Sequence, residues 1–286
     1  LTGRYPIRTG AITPQEVMGL DRIALREVTL ADSFRHSGYA TGLVGKWHNG
    51  SLDSRYHPNG RGFDEFAGFC GGWADYYNWN LDRNGVLERS DGRYLTDVLT
   101  EEAGAFIKRH RSEPFFLSVM FNAPHSPLQA PEELVQPYLD AGLSHAVALT
   151  YAMIQSMDTG VARILEVLEK MGVADNTIVM FTSDNGPAFA LREDQVPEGV
   201  GREPKRFNCG FKGAKGSVYE GGIRVPMILR WPDGLEGRRI IDELVHFTDW
   251  MPTLLSMTGA MRPGGLPLDG HDVLPLLHGE IPEECP

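Results

Sequence analysis

Long apolar runs are missing from this 286-residue chain. With no stretch of about 18 apolar residues, a membrane-spanning helix is not expected. Runs of Lys or Arg are missing too, and the formal net charge is −11. Nucleic-acid binding needs a basic patch or stripe, so no such partner is expected. Cysteine is scarce. Cys70, Cys209 and Cys285 are odd in number and far apart, with neither metal-ligand spacing nor a disulfide framework. The chain opens at Leu1-Thr2-Gly3-Arg4 with no Met and no signal peptide, which reads as a trimmed start or a piece of a longer protein. What remains is an ordinary globular composition, 42% hydrophobic and 23% charged, large enough for one sizeable core. An acidic chain that handles an anion must gather its few cations locally, so single lysines and histidines carry weight.

Four short apolar runs, Ala40–Val44, Phe115–Phe121, Thr177–Thr182 and Val225–Trp231, are continuous rather than alternating. That pattern predicts strands covered on both faces. Helical patterns lie between them. Thr29 followed by Asp32 reads as a capping box opening a helix over Leu30–Ser37. Further helices are predicted over Tyr94–Lys108, Ser144–Met171 and Trp250–Met257, the last capped by Asp249. The alternation implies an α/β fold, a mostly parallel central sheet flanked by helices on both faces. Ser51–Leu87, rich in Gly, Asn, Asp and aromatics, reads as a long loop or small lobe, and Pro187–Asn208 as a surface excursion.

Ligands of such sheets sit beyond the carboxyl ends of the strands. Three runs end in chemistry: Gly45-Lys46-Trp47-His48, Asn122-Ala123-Pro124-His125 and Ser183-Asp184-Asn185-Gly186. The fourth follows Phe211–Pro232, where Lys215 stands between Gly213 and Gly216 in a turn suited to an anion. Asp184 and Asn185 offer hard oxygens suited to Ca²⁺ or Mg²⁺, although Asp-Asn-Gly is also turn chemistry. Lys46 and His48 flank Trp47 and would share a face in an extended segment, where they could hold an oxyanion and move a proton. His125, set between Pro124 and Pro127, suits a proton donor, with a solvent-facing loop histidine as the plainer alternative. Glu220 and Arg224 read as a structural ion pair.

These segments resemble the sulfatases of the alkaline-phosphatase superfamily, in order and over nearly the whole chain. LTGRYPIRTG, GYATGLVGKWHNG, FNAPHSPLQAP, TSDNGP, GAKGSVYEGGIRVPMILRWP, FTDWMPTLL and LDGHDVLPLLHG carry the likeness. The resemblance implies catalytic roles for His48 and His125, sulfate contacts for Lys46 and Lys215, and one divalent metal, Ca²⁺, on Asp184 and Asn185. It implies a formylglycine nucleophile made from Cys or Ser in a Cys/Ser-x-Pro-x-Arg motif, expected upstream of Leu1, as are two further acidic metal ligands. The hydrate attacks sulfur, the alcohol leaves, and the intermediate collapses to the aldehyde. None of the three cysteines here has the following Pro-x-Arg. A partial catalytic domain is therefore expected over residues 1–280, with 281–286 starting a linker to a smaller C-terminal subdomain, and this piece alone is expected to be inactive.

The expected activity is hydrolysis of an organic sulfate ester, with a sulfated carbohydrate preferred and a periplasmic, secreted or lysosomal location. Two other readings stay open. One is a phosphate or phosphonate monoester hydrolase of the same superfamily; the other is an inactive module that binds sulfated glycans. Trp73, Tyr76, Tyr77 and Trp79 could stack on a sugar or aryl ring, or equally form the core of a small lobe.

Overall fold

The computed structural model describes residues 1–13, 21–51 and 53–280. The expected linker at 281–286 lies outside the described residues. Among the described residues seven strands form: β1 (Ala40–Lys46), β2 (Glu65–Phe69), β3 (Asn80–Arg83), β4 (Val86–Arg89), β5 (Phe115–Met120), β6 (Val179–Thr182) and β7 (Met227–Arg230). The helices are α1 (Pro6–Thr9), α2 (Leu30–His36), α3 (Leu95–His110), α4 (Glu132–Asp140), α5 (His145–Met171), α6 (Glu220–Ile223), α7 (Trp250–Thr258) and α8 (Leu274–His278).

All four apolar runs are strands, and helices cover both faces of the sheet at β1, but the strands at 177–182 and 225–231 are not covered on both faces: Met180 and Ile228 are exposed. The sheet, however, is mixed rather than mostly parallel. Its order is β4-β3-β2-β1-β5, with β1 parallel to both β2 and β5, and antiparallel pairing from β2 through β3 to β4. β6 and β7 pair with each other, antiparallel, as a separate ribbon. The difference originates in 51–87, expected as a long loop or small lobe, which holds β2 and β3 and the start of β4. β2 escaped notice because its EFAGF carries Glu and Gly instead of a continuous apolar run. The β3–β4 hairpin turns at Asn84-Gly85, both at positive φ (53° and 91°), the geometry a two-residue hairpin loop favours.

Alternation along β1 sets the layers. Gly42 faces the Phe106 ring of α3, while Leu43 packs with Ala31 of α2, Phe63 and Phe66. On the α3 side, Leu95, Val98 and Leu99 pack with Ala148, Ala152 and Met153 of α5. On the α2 side, Phe34 stacks on Phe116 at 4.6 Å and shares a cluster with Trp250, Leu254 and Met257 of α7.

The Thr29–Asp32 box is formed in both directions. Ser144 stands just before α5 and makes no side-chain cap, and Gly172 ends the helix at a φ of 71°. Asp249 precedes α7 but does not cap it. Its carboxylate instead accepts the backbone N–H of His246 at 2.7 Å and of His271 at 3.0 Å. The carboxylate staples the C-terminal stretch to the helix start, a long-range role invisible in local sequence.

Candidate active site

Each expected site residue stands at an element end. Lys46 closes β1. His125 follows β5, Asp184 follows β6, and Lys215 lies in the turn before α6. The structure brings Lys46, His125, Asp184 and Lys215 into one electrostatic neighbourhood. Burial holds the Lys46 ammonium below its ordinary pKa; Asp184 opposes the shift and Lys215 adds to it. Burial likewise lowers the His125 pKa, against a hydrogen bond that raises it, with Lys215 and Lys46 lowering it further and Asp184 raising it. Two ammonium groups, one carboxylate and one imidazole thus sense one another across four separate segments. Lys46 and His125 are half-buried, Asp184 and Lys215 exposed, so the cluster has a dry side and an open side.

His125 has a defined tautomer. Its Nδ1 lies 2.7 Å from the Ser126 carbonyl oxygen. A carbonyl only accepts, so Nδ1 carries the proton and Nε2 is left as the basic nitrogen. The His125 amide donates to Asn122 O at 2.8 Å. The Tyr76 hydroxyl donates to His125 O at 2.9 Å. Tyr76 is fully buried, so this contact joins the histidine loop to the core.

His48 departs from the extended geometry. Its φ of 48° is uncommon for a residue with a Cβ and turns the chain out of β1. The same-face argument for Lys46 and His48 therefore ends at Trp47. The His48 amide donates to Cys70 O at 3.0 Å. A Cβ on Gly72 would come within 2.6 Å of the His48 ring, so only glycine leaves this ring its place. Sequence reasoning does not reach this pairing, because Gly72 lies in the segment that reads as a long loop or small lobe.

Asp184 and Asn185 occupy a turn tied to the lysine loop. Asn185 Nδ2 donates to Gly186 O at 2.8 Å, which leaves Oδ1 as a donor atom for a cation. Gly186 N donates to Gly222 O at 2.9 Å, and Lys215 N to Pro187 O at 2.9 Å. These two backbone bonds set the spacing of carboxylate and ammonium. Glu220 and Arg224 form the expected i,i+4 ion pair at 3.2 Å, both well exposed, and worth at most a few tenths of a kcal/mol, on the order of 0.3.

Ca²⁺ takes six to eight oxygen ligands, so Asp184 and Asn185 would be part of a shell rather than all of it. Their chemistry fits: two hard oxygens beside each other, with a carboxylate that already faces cations. A second set is less suited. His57, Cys70 and Asp82 place one ligand atom each within 4.8 Å of one another. This set mixes a thiol with harder groups, unlike a Ca²⁺ site. His57 Nδ1 accepts the Asn59 amide, and Nε2 lies 3.1 Å from Asp82 Oδ2. That pattern puts the proton on Nε2, pointing at Asp82, as a structural His–Asp pair requires.

The grouping makes a prediction about His125. Substituting Lys215→Met removes a cation that lowers its pKa, so the value should rise toward the ordinary 6.5. Imidazole proton NMR titration reads this directly. An unmoved His125 would disprove the proximity. The linkage sign is also fixed. A depressed folded-state pKa means the unfolded chain binds more protons between that value and 6.5, so the neutral-His125 contribution to stability is present above 6.5 and lost as pH falls through the window.

Among the described residues no helix is long and apolar enough to cross a membrane. A family model described as Sulfatase matches residues 1–260. The chain is 35% identical over 303 aligned residues to the uncharacterized sulfatase YdeN of Escherichia coli K12, covering 97% of this chain and 51% of that protein. It is 34% identical to the N-acetylgalactosamine-6-sulfatase of Homo sapiens, covering 98% and 56%. Among solved structures, Ps i-CgsB in complex with k-i-k-neocarrahexaose superposes with a TM-score of 0.85 at 29% identity, covering 98% of this chain and 64% of that one. The chain thus spans about half the length of the curated relatives it matches. With the strand-end cluster and these likenesses together, the chain belongs to the sulfatase family.

Proposed function

We propose that the full-length protein hydrolyses organic sulfate esters. The observation that carries this reading is the convergence of Lys46, Lys215, Asp184 and His125 from four segments. Lys46 and Lys215 bind the tetrahedral anion; fixed positive charge aimed where negative charge gathers is the strongest catalytic device such a site has. His125 keeps its Nδ1 proton on Ser126 O, so it must first take up a proton at Nε2, and as the imidazolium it donates that proton to the departing alcohol oxygen. His48, held between Cys70 and Gly72, orients the reacting centre. Asp184 and Asn185 hold one divalent metal, Ca²⁺ by their hard oxygens. The attacking oxygen is supplied by a formylglycine outside these residues. A location outside the cytoplasm suits the family.

Turnover by the full-length enzyme of 4-nitrophenyl sulfate against 4-nitrophenyl phosphate tests the reading. Sulfate should be preferred, and chelation with EDTA should abolish the preference with activity restored by Ca²⁺. A folded enzyme that prefers phosphate, or that releases no sulfate, overturns it.

A further inference from the structure

The four aromatics of 73–79 separate cleanly. Tyr76 and Trp79 are core residues, 0% and 2% exposed, and Tyr77 is half-buried. Trp73 is 62% exposed. A single exposed aromatic needs no explanation by itself. What distinguishes Trp73 is its setting.

Its neighbours on both sides are pinned to the two candidate histidines. Gly72 lies flat against the His48 ring. Ala74 O accepts from Asn122 Nδ2 at 2.8 Å, three residues before His125. Tyr76 N donates to Gln129 Oε1 at 2.8 Å, and Gln129 Nε2 donates to Asp75 Oδ2 at 2.9 Å. The Tyr76 hydroxyl reaches the His125 carbonyl. The backbone carrying Trp73 is thus tied down on each side, while its indole packs in none of the core clusters. An immobilised backbone with a bare ring is a preorganised platform, since a ligand that covers it orders little more than itself.

We propose that Trp73 is the stacking surface for the sugar ring that bears the sulfate. The inference rests on the sulfatase reading above and names its substrate class. A proton donor at His125 must face the leaving alcohol, and Trp73 is attached to that loop. A pyranose presents C–H groups on its face and hydroxyls on its edge. The indole suits the face, and the segment that carries it also holds polar side chains, Asp75 bonded to Gln129 at 2.9 Å. Binding sites for small ligands combine an aromatic wall and a few polar groups in this way.

The experiment uses the full-length enzyme with a panel of monosulfated hexoses and hexosamines, and with 4-nitrophenyl sulfate. Trp73→Ala should reduce kcat/KM on the cleaved sugar about 30-fold, mainly through KM, as for loss of a buried aromatic anchor. Its rate on 4-nitrophenyl sulfate should fall by less, no more than about tenfold, because the flat ring can meet the indole but offers none of the edge hydroxyls that fix a sugar on it. Trp73→Phe should recover part of the sugar activity. Equal loss on both substrates, no loss on sugar, or aryl turnover with no sugar cleaved each overturns the inference while leaving the sulfatase reading in place. An enzyme that cleaves neither class overturns both.

Discussion

Replacing Lys215 with alanine is expected to lower kcat/KM for sulfate release by about 10²- to 10³-fold, the range seen when one preorganised charge-stabilising group is removed. The lysine is exposed, so its loss costs the fold little; surface changes away from special contacts stay within about 0.5 kcal/mol. Its backbone, bonded to Pro187 O at 2.9 Å, holds the turn without the side chain. The effect should therefore be chemical, with an unchanged melting temperature. Lys215→Arg should recover only part of the rate, since a planar fork does not replace a compact ammonium. Steady-state kinetics beside a thermal melt check this. A loss under threefold in a folded variant would remove Lys215 from the site.

Gly186→Ala should damage both stability and activity. A Cβ there would lie 1.9 Å from Gly221 O and 3.1 Å from Gly222 Cα. These are backbone atoms, so no rotamer relieves the clash. The two loops must part, breaking the bond from Gly186 N to Gly222 O. The cost is about 3 kcal/mol, the upper part of the overpacking range. For a domain of this size that is several degrees of melting temperature, at about 2–4 °C per kcal/mol. Parting the loops also moves Asp184 from Lys215, and a displacement on the order of 1 Å can cost about 10²-fold in rate. Differential scanning calorimetry and kinetics on the variant would show both losses. Native values in both would mean that the loops are not locked together.

Much of this was legible in the residues, for identifiable reasons. The run at 40–44 is apolar because both faces of β1 are covered, whereas the runs at 177–182 and 225–231 form a ribbon that leaves Met180 and Ile228 exposed, so an apolar run read the strand but not its burial. Thr29 and Gly172 bound helices through local hydrogen bonds, which neighbouring residues specify. Pairing partners are another matter. Nothing within TIVMFT or VPMILRW says that β6 takes β7, antiparallel, instead of joining β1 and β5. β2 was lost because Gly68 and Glu65 interrupt its pattern, although Asn84-Gly85 marked the hairpin beyond it. In the site, residue type and strand-end position singled out Lys46, His125, Asp184 and Lys215. The His48 geometry was not legible: its φ of 48° leaves the extended conformation, and its ring lies against Gly72 of another segment. Asp249 misled because a helix cap and a long-range backbone staple use the same residue type. The aromatics of 73–79 divide into wall and core only through the tertiary contacts of Tyr76 and Trp79.

The scaffold holds Lys46 and Lys215 near each other whether or not anything is bound, and each disfavours the other's charge. Asp184 offsets part of that repulsion. An arriving anion offsets more, and inorganic sulfate does so as well as an ester does. On the proposed chemistry, the clamp that recruits the substrate therefore also retains the product. Released sulfate would then compete with the next ester for the same two ammonium groups.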